Sequence, residues 1–333
     1  MNADFQKNLN KVPVTELSAG TVSLGPGPFT MSYGFDLDLM KASLKTGGLL
    51  NPPLLLKSGA GDFLIVSGYR RITALLELGH KHLPARILEE DQISFLDALL
   101  INFYDNLATR EFNPVEKGMV LARLAGYLTE EQLLGDYMGL RRLSPRRSIL
   151  KNYISFDRDL DEPMKQALAG GTISELTAAT LLALPTEERN AVAELFSRLT
   201  FNVNQQKQLI ELLADNSRIT GISLAEMVRT KPFLNILASP SMNRPQKARA
   251  LLALLRSWRF PRLTRAEKVF KKRVAKLKLP REVRIQPPPY FESEFYRMEI
   301  SFRNGKELKD LIRQLGNIEG LQELRDPWEG GDW

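Results

Sequence analysis

The residues best placed to bind an anion lie in IVSGYRRITALLELG, residues 65–79. An apolar run ends at Gly68, and Arg70 and Arg71 follow at once in a predicted helix. The first backbone N–H groups of a helix lack partners and carry the positive end of its dipole. Guanidinium groups beside them form planar forks that match phosphate oxygens. The stretch therefore predicts a phosphate site, while two alternatives stay open: a solvated arginine pair, or an arginine that bridges a carboxylate in the core.

Two further polar stretches contain candidate ligands. SLKTGGLLNPPLLL, residues 43–56, places a glycine pair and an Asn-Pro between a predicted helix and a predicted strand. DNLATREFNPVEKG, residues 105–118, places an acid, an amide and an arginine just before a helix start at Asn113. Carboxylate and amide oxygens are hard ligands of the kind that Mg²⁺ takes. The candidates in the two stretches are Gly48, Asn51, Asp105, Asn106 and Arg110.

A small α/β domain is predicted to position these residues. Helical spacing marks residues 36–48, and strand patterns mark PPLLLK, DFLIV and ARILE, the last at residues 85–89. Residues 20–34 are rich in Gly, Pro and Ser and predict a loop, near which we expect the folded part to begin. The order is therefore helix, strand, strand, helix, strand.

The rest of the chain is predicted to have a helical middle and a mixed C-terminal end. Helix signals repeat from Ile93 to Trp258, with a capping box at Ser223 and Glu226. EFYRMEISF then alternates apolar and polar residues, which predicts a half-buried strand, and GKELKDLIRQLG predicts a helix. The strand residues expected to face inward are Tyr296, Met298, Ile300 and Phe302. We predict an α+β multidomain protein with segments 1–103 (small α/β), 104–190 (all-α), 191–260 (helical) and 261–333 (basic, small α/β).

Residues 129–156 have the pattern of a helix-turn-helix. A first helix is followed by a break at Gly139, and a second helix is predicted to start with Ser144 as its cap and Pro145 at its first position. In such motifs the N-terminal part of the second helix enters the major groove of DNA. A helical hairpin with a solvated basic face is the alternative. The candidate DNA-binding residues are Arg141, Arg142, Ser144, Arg146, Arg147 and Lys151.

The composition favours a nucleic-acid partner and excludes several kinds of site. The 333 residues carry a formal charge of +7, and residues 256–284 alone contain twelve Lys or Arg and two Glu, which favours an anionic partner. The absence of cysteine excludes disulfides and thiolate chemistry. The N-terminus MNADFQKNLNKVPV lacks the apolar core of a signal peptide, and no apolar run reaches the roughly 18 residues of a membrane span. We therefore expect a cytoplasmic, nucleoid-associated protein without membrane contact.

Taken together, the three polar stretches resemble the signature boxes of the ParB family of DNA partition proteins. In that family the boxes are approximately S-I-x-x-x-G-L-x-Q-P, then G-E-R-R-x-x-A, then E-N-x-x-R with N-P-x-E following. This chain has SLKTGGLLNPP, SGYRRITA and DNLATREFNPVE in the same order, and the resemblance extends over residues 36–190. It implies a ParB/sulfiredoxin-like N-terminal fold. Sulfiredoxin chemistry needs a cysteine in the helix-opening segment, so that enzyme is excluded.

The resemblance implies a pocket for cytidine triphosphate (CTP) and Mg²⁺. It places Gly68, Arg70 and Arg71 on the phosphates and Asp105 and Asn106 at the phosphate or metal end, with Asn106 among the nucleotide-binding residues and both as metal ligands. The other nucleotide-binding residues that it implies are Gly48, Asn51, Tyr69 and Arg110. The chain departs from the family pattern, because Tyr69 replaces an acid, Asp105 a Glu and Asn51 a Gln, and Arg110 is displaced by one position. These departures argue against nucleotide hydrolysis more than against binding, so the chain is expected to be at most a slow CTP hydrolase.

The leading hypothesis is a ParB-like protein of chromosome or plasmid partition that acts as a homodimer on double-stranded DNA and switches conformation with CTP. The C-terminal segment is the candidate for dimerisation. A partner ATPase is only weakly supported, because the N-terminus lacks the short arginine-containing segment common in the family. One alternative is a ParB-derived transcriptional or nucleoid regulator that binds DNA without nucleotide. A Mg²⁺-dependent nuclease ranks lower, because the sequence shows no compact cluster of carboxylates and histidine.

Overall fold

The computed structural model describes residues 12–23, 25–59 and 61–324. They divide into two compact units, the first ending at Gln206 and the second beginning at Lys207. The segment boundaries predicted from the sequence are finer than this division and stay predictions. The α+β class is confirmed: a four-stranded sheet is followed by a helical middle and then by a two-stranded sheet with a helix.

A mixed four-stranded sheet organises the start of the first unit. Its elements in chain order are β1 (Val14–Ser18), α1 (Asp38–Gly47), β2 (Leu54–Lys57), β3 (Phe63–Ser67), α2 (Tyr69–Glu77) and β4 (His82–Glu89). The strand order is β1-β4-β2-β3. β2 and β4 are parallel, and the other neighbouring pairs are antiparallel. Helix α2 therefore lies in the connection between the end of β3 and the start of β4.

Helix α2 packs its apolar face on this sheet. Ile72 and Leu75 are three residues apart, as neighbours on one helix face are, and both are buried against Leu55, Ile65 and Leu83. Burial of each such side chain contributes about 1.5–3 kcal/mol. The sheet thus anchors the helix whose first turn carries the two adjacent arginines.

The register of the sheet brings three residues of different strands into one row. Leu54 on β2 lies opposite Ser67 on β3 and opposite Arg86 on β4. The β2–β3 pairing is irregular between Leu54 and Leu55, as at a β-bulge. Because directly paired residues share a face of the sheet, this row places Ser67 and Arg86 on either side of Leu54.

Helices follow the sheet through the rest of the first unit. They are α3 (Phe95–Thr109), α4 (Pro114–Leu124), α5 (Glu130–Gln132), α6 (Arg147–Arg158), α7 (Glu162–Ala169), α8 (Glu175–Leu181) and α9 (Thr186–Arg198). The predicted start of α4 is confirmed, since the Asn113 side chain accepts from the backbone N–H of Glu116 at 2.9 Å. No strand is found between β4 and Val283 in the described part of the chain, as the sequence predicts.

Helices α4 and α6 approach each other closely at a glycine. A Cβ placed on Gly118 would lie 2.2 Å from the backbone carbonyl oxygen of Tyr153. On α6, Leu150, Tyr153 and Phe156 are buried. The opposite face of α6, which includes Lys151, is exposed to solvent.

The second unit consists mainly of helices. Its elements are α10 (Val203–Thr220), within which the boundary falls, α11 (Leu224–Val228), α12 (Lys231–Ala238), α13 (Arg244–Arg259), α14 (Pro261–Lys276), β5 (Val283–Gln286), β6 (Arg297–Ile300) and α15 (Gly305–Gly316). The capping box at the start of α11 is as predicted. On α14, Ala266 and Phe270 are buried and pack against Phe291. None of the helices that the structure describes is long and apolar enough to cross a membrane.

The structure corrects two predictions about strands. Regular structure begins earlier than expected, because β1 already pairs with β4 through residues Val14–Ser18. The expected half-buried C-terminal strand is a four-residue strand, β6, that pairs only with β5 in the described chain. Met298 and Phe302 are 43% and 50% exposed, so they do not face inward. With only one neighbouring strand and one helix, this small sheet covers too little surface to bury the whole alternating set.

The predicted N-cap of the second helix in the helix-turn-helix pattern is also wrong. Helix α6 begins at Arg147 with Arg146 as its N-cap, not at Ser144. Arg142 adopts a left-handed conformation with φ of 57°, and the Ser144 carbonyl accepts a hydrogen bond from the Arg146 N–H at 2.8 Å. This tight local turn takes up the residues expected to start the helix, so the connection between the two helices is longer than the sequence suggested.

Candidate functional site

A cavity of about 690 Å³ opens at the end of the four-stranded sheet where α2 begins. It collects all but one of the residues that sequence analysis assigned to phosphate or metal binding. These are Asn51, Gly68, Tyr69, Arg70, Arg71, Asp105, Asn106 and Arg110. Gly48, the C-cap of α1 with φ of 68°, does not line the cavity. Residues from three separate stretches of the chain are therefore neighbours in space.

The turn between β3 and α2 requires a glycine. Gly68 has φ of 94°, and a Cβ added there would lie 2.7 Å from Pro53 Cβ. Both the left-handed backbone and the missing space exclude a side chain. The first turn of α2 is thereby brought against the segment that leads into β2, and its arginines face the cavity.

A buried carboxylate joins two arginines of the cavity. Glu116 is 1% exposed, and Arg70 Nη2 donates to its Oε1 at 2.6 Å. Arg110 Nη1 donates to Glu116 Oε2, also at 2.6 Å. The backbone N–H groups of Tyr33 and Asn113 donate to the same carboxylate at 3.1 and 3.0 Å. The interpretation in which an arginine bridges a core carboxylate therefore holds for Arg70.

Arg110 is held more deeply than Arg70. Its Nη2 donates to the Met31 carbonyl at 2.8 Å, and its Nε donates to Asn106 Oδ1 at 2.7 Å. Burial lowers the pKa of the Arg110 guanidinium, the Glu116 carboxylate opposes that shift, and the Arg70 charge adds to it. Arg110 thus ties α3, the loop before α1 and the start of α4 together.

Arg71 has a separate acidic partner. Its Nη2 lies 3.2 Å from Asp105 Oδ2, and its Nη1 donates to the Asn51 carbonyl at 2.6 Å. Ser67 Oγ also donates to Asp105 Oδ2. The contact of Asn51 is made by its backbone, which leaves its side chain outside this network. Arg71, unlike Arg70, sits at the side of the cavity formed by α3 and the turn before β2.

The predicted metal ligands already have protein partners. Asp105 Oδ2 accepts from Ser67 and Arg71, and Asn106 Oδ1 accepts from Arg110. Asn106 Nδ2 donates to the carbonyl and side-chain oxygens of Asn102, at 2.9 and 2.5 Å. Within the described residues no group of three or more His, Cys, Asp or Glu side chains could hold a metal ion. A cation at Asp105 and Asn106 would therefore depend on waters or ligand oxygens for most of its coordination.

Two residues at the cavity were not among the predicted ligands. Glu116, the last residue of DNLATREFNPVE, was assigned no ligand role; it lies behind the cavity lining and is the centre of the arginine network. Arg86 lies on β4 in the same cross-sheet row as Leu54 and Ser67, and all three line the cavity. The only signal for Arg86 is the strand order, which places β4 next to β2 and cannot be taken from the sequence.

Tyr69 is a packing residue at the rim of the cavity. Its ring meets Phe35 edge to face with centroids 6.0 Å apart, and it packs against the buried cluster of the sheet. The Arg70 guanidinium lies over the same Phe35 ring at 4.7 Å. The aromatic residue at this position thus orients the first turn of α2 and supplies no carboxylate to the cavity.

A second candidate surface lies at the start of α6. Arg146, Arg147 and Lys151 are exposed there, and Arg147 Nε forms an ion pair with Glu130 Oε1 at 2.6 Å. Ser144 and Arg142 are exposed in the preceding connection; Arg142 pairs with Glu111 at 3.1 Å. Five of the six predicted DNA-binding residues are therefore accessible to a large ligand.

Arg141 is the exception and is buried. It is 4% exposed, and its guanidinium lies 4.3 Å from the ring centre of Phe103 and 4.4 Å from that of Phe112. None of its three side-chain nitrogens has a hydrogen-bond partner among the described residues. Burial, together with the charge of Arg110, lowers the pKa of Arg141 to about 9. The structure does not bring Arg141 to the basic surface, because aromatic rings from α3 and the α3–α4 connection enclose it.

Residues 3–103 match the family ParB N-terminal domain. Curated relatives include the probable chromosome-partitioning protein ParB of Campylobacter jejuni, 24% identical over 218 residues that cover 64% of this chain and 74% of the relative. A nucleoid occlusion protein of Geobacillus kaustophilus is 30% identical over 159 residues, covering 47% of this chain and 53% of that protein. The chain thus spans about half the length of the Geobacillus relative that it matches.

Two solved structures are also similar to this chain. One is a C-terminally truncated ParB from Caulobacter crescentus complexed with CTP-gamma-S, with 21% identity, 55% of this chain and 98% of that chain covered, and a TM-score of 0.26. The other is a C-terminally truncated ParB from the same organism complexed to the centromeric parS site, with 20% identity, 54% and 89% coverage, and a TM-score of 0.30.

Proposed function

We propose that this chain is a nucleotide-responsive DNA-binding protein, because residues 3–103 match the ParB N-terminal domain family and the chain is a distant homologue of partition and nucleoid occlusion proteins. In this proposal CTP binds in the arginine cavity, and double-stranded DNA binds at the start of α6. The observation that carries it is the cavity itself, which is lined by four arginines and one carboxylate, Asp105, while the Glu116 carboxylate lies buried behind the lining. The positive balance suits a polyphosphate.

The phosphates would be held where α2 begins. The unpaired N–H groups of its first turn and the Gly68 turn offer backbone donors, and Arg71 offers a guanidinium that is only partly buried, with 22% of its side chain exposed. Arg70 Nη2 and Arg110 Nη1 are already bound to the Glu116 carboxylate. These two guanidinium groups would therefore act on the phosphates mainly through their positive charge. Asp105 and Asn106 are the residues that would hold an accompanying Mg²⁺, which would neutralise part of the phosphate charge.

The nucleotide is proposed to act as a switch between the two surfaces. Glu116 belongs to the first turn of α4, and α4 packs against α6 through Gly118 and Tyr153. Phosphates that compete for Arg70 and Arg110 would loosen their hold on Glu116 and so on the start of α4. Two subunits, acting as a homodimer, would then change how they contact DNA.

DNA binding is proposed to depend on Arg146, Arg147 and Lys151. They project from the exposed side of α6, whose other side is buried. Lys and Arg side chains that contact phosphates release counterions, so affinity should fall with salt. Chromosome or plasmid partition is the process in which we place this activity.

Isothermal titration tests the nucleotide part of the proposal. CTP with Mg²⁺ is titrated into the wild-type protein and into Arg71→Gln. Arg198→Gln is the control, since Arg198 is exposed and, of the residues that the structure describes, its ion-pair partner is Glu194 on its own helix. We expect saturable binding that Arg71→Gln weakens by about tenfold and that Arg198→Gln leaves unchanged. No binding to the wild type, with and without DNA, would refute the nucleotide role.

DNA affinity as a function of salt tests the other surface. Replacing Lys151 by Gln should make the negative slope of log K against log salt less steep by about 0.9 if that side chain contacts one phosphate. Arg198→Gln again serves as the control. If Lys151→Gln leaves both affinity and slope at wild-type values, DNA does not bind at α6.

A regulator that binds DNA without nucleotide is the second candidate function. Tyr69 favours it, because this partly buried aromatic residue packs against the buried cluster of the sheet where the family pattern has an acid. It predicts sequence-selective DNA binding that CTP does not alter. The titration of nucleotide in the presence of DNA decides between the two functions.

A further inference from the structure

The charges of the cavity are not equally compensated. Arg70 and Arg110 share the Glu116 carboxylate, and Arg71 pairs with Asp105. Arg86 lines the same cavity but forms no ion pair with any residue that the structure describes. It is therefore the arginine whose charge is left for a ligand.

We propose that Arg86 is a further ligand-binding residue of the cavity and takes a phosphate group of the bound nucleotide. This inference rests on the proposed function, in that it names a residue of the same site. No signature box contains Arg86, which lies in the strand β4 well after the SGYRRITA segment. Its assignment depends only on the sheet and on the contacts of its side chain.

The sheet fixes where the Arg86 side chain starts. The backbone N–H of Arg86 donates to the Pro53 carbonyl at 2.9 Å, and Leu54 lies opposite it on the neighbouring parallel strand. Ser67 lies opposite Leu54 on the other side. The Ser67 end of this row is already filled, because its hydroxyl contacts Asp105 and Arg71. The Arg86 end is open to the cavity.

The side chain of Arg86 has a hydrogen-bond donor that lacks an acceptor among the described residues. Its Nε is buried and has no hydrogen-bond partner in the structure. A buried donor without a partner destabilises a folded protein, and a buried guanidinium does so more than a neutral group. An arginine that served only the fold would be expected to have a carboxylate or carbonyl partner, as Arg70, Arg71 and Arg110 have.

A phosphate group meets the needs of this side chain. It offers oxygens that accept two parallel N–H bonds from a guanidinium, and its charge balances the one that no carboxylate balances. Arg86 would then approach the polyphosphate from the floor of the cavity, opposite the first turn of α2. A polyphosphate held from both sides would have more of its lost hydration replaced by protein donors than one held at a helix start alone.

Calorimetric titration of Arg86→Met tests the assignment. Methionine has an unbranched side chain of similar length but no charge and no N–H donors. Arg198→Met is the matched control, because Arg198 is an exposed arginine of α9. CTP with Mg²⁺ and inorganic triphosphate are both used as titrants. We expect Arg86→Met to weaken binding of both by about tenfold or more, and Arg198→Met to leave both unchanged.

The possible results distinguish the role of Arg86 from the nucleotide function of the cavity. If the wild type binds CTP and Arg86→Met binds it equally well, the role of Arg86 is refuted while the nucleotide function stands. If the wild type binds only inorganic triphosphate and Arg86→Met loses it, Arg86 is an anion ligand but the nucleotide function is refuted. Binding of neither titrant to the wild type refutes both.

Folding of the variant is checked by its circular dichroism and melting temperature. If Arg86→Met does not fold, Arg86→Lys replaces it, because lysine keeps the charge but not the planar fork. We expect Arg86→Lys to bind inorganic triphosphate several-fold more weakly than the wild type, and equal affinity would overturn the inference.

Discussion

Replacing Glu116 by Gln should strongly destabilise the part of the protein around the cavity. The change keeps the shape of the side chain and removes the charge that two arginines share at 2.6 Å. It also places an NH₂ group where a carboxylate oxygen now accepts hydrogen bonds. Two guanidinium groups would then face each other across a neutral amide, with one set of donors unsatisfied.

The structure sets the size of the effect. Loss of one partner of a buried ion pair costs about 3–5 kcal/mol, and the side chains of Arg70 and Arg110 retain 24% and 15% exposure. Partial solvent access lets water compensate some of the loss, so we expect about 3 kcal/mol. Since about 1.4 kcal/mol corresponds to a factor of ten, amide exchange from α4 should become roughly 100-fold faster.

Amide hydrogen exchange of peptides from α4 is the appropriate assay, because it reports local opening without assuming that both units unfold together. Glu111→Gln is the matched control. Glu111 also pairs with an arginine, Arg142 at 3.1 Å, but both side chains are more than four-fifths exposed. Such a surface pair contributes about 0–1 kcal/mol, so exchange should change by a few-fold at most.

The same variant should bind anions more tightly per folded molecule, because Arg70 and Arg110 are released from their internal partner. Equal exchange rates in Glu116→Gln and Glu111→Gln would refute the reasoning, since burial and the shared contacts would then make no difference. Faster exchange confined to other helices would equally show that Glu116 does not hold the start of α4.

Two further substitutions test the packing around the candidate surfaces. Gly118→Ala should cost about 2–3 kcal/mol and lower the melting temperature, because its Cβ would meet the Tyr153 carbonyl at 2.2 Å; Gly135→Ala, in a helical segment and with no described atom within 4 Å of the new Cβ, should leave stability unchanged or raise it by up to about 1 kcal/mol. Arg141→Met should leave stability unchanged or raise it by about 1 kcal/mol, because methionine fills the space between Phe103 and Phe112 without an unpaired buried charge. A loss above about 1 kcal/mol in denaturant unfolding would instead show that the ring contacts outweigh the unpaired charge.

Much of the cavity could be predicted because its residues lie in short local patterns. A glycine between an apolar run and a helical pattern indicates a left-handed turn, and Gly68 has that conformation. The Asn113 and Glu116 pair indicates a helix start and is one. What local patterns cannot give is the partner of each charge: Glu116 is 46 residues from Arg70, and only the folded chain brings them together.

The errors have physical causes of the same kind. Arg141 resembles its neighbours in a basic stretch, but rings from two distant segments enclose it. Met298 alternates as a core residue would, yet its sheet has only two strands in the described chain. β1 was missed because most of its side chains are exposed, so no apolar alternation marks it, and it is held by backbone pairing with β4.

The pairing of β1 with β4 also determines an order of events at the ribosome. Val14 emerges first, but its partner in the register, Arg86, is made about 70 residues later. At roughly 5–20 residues per second, β1 waits for about 4–14 s before its backbone groups find their acceptors. Until then the backbone groups of β1 are unpaired. A truncation that removed β1 would leave one edge of β4 open to pairing between molecules. Shortened versions of this protein should therefore begin ahead of Val14 if they are to stay monodisperse.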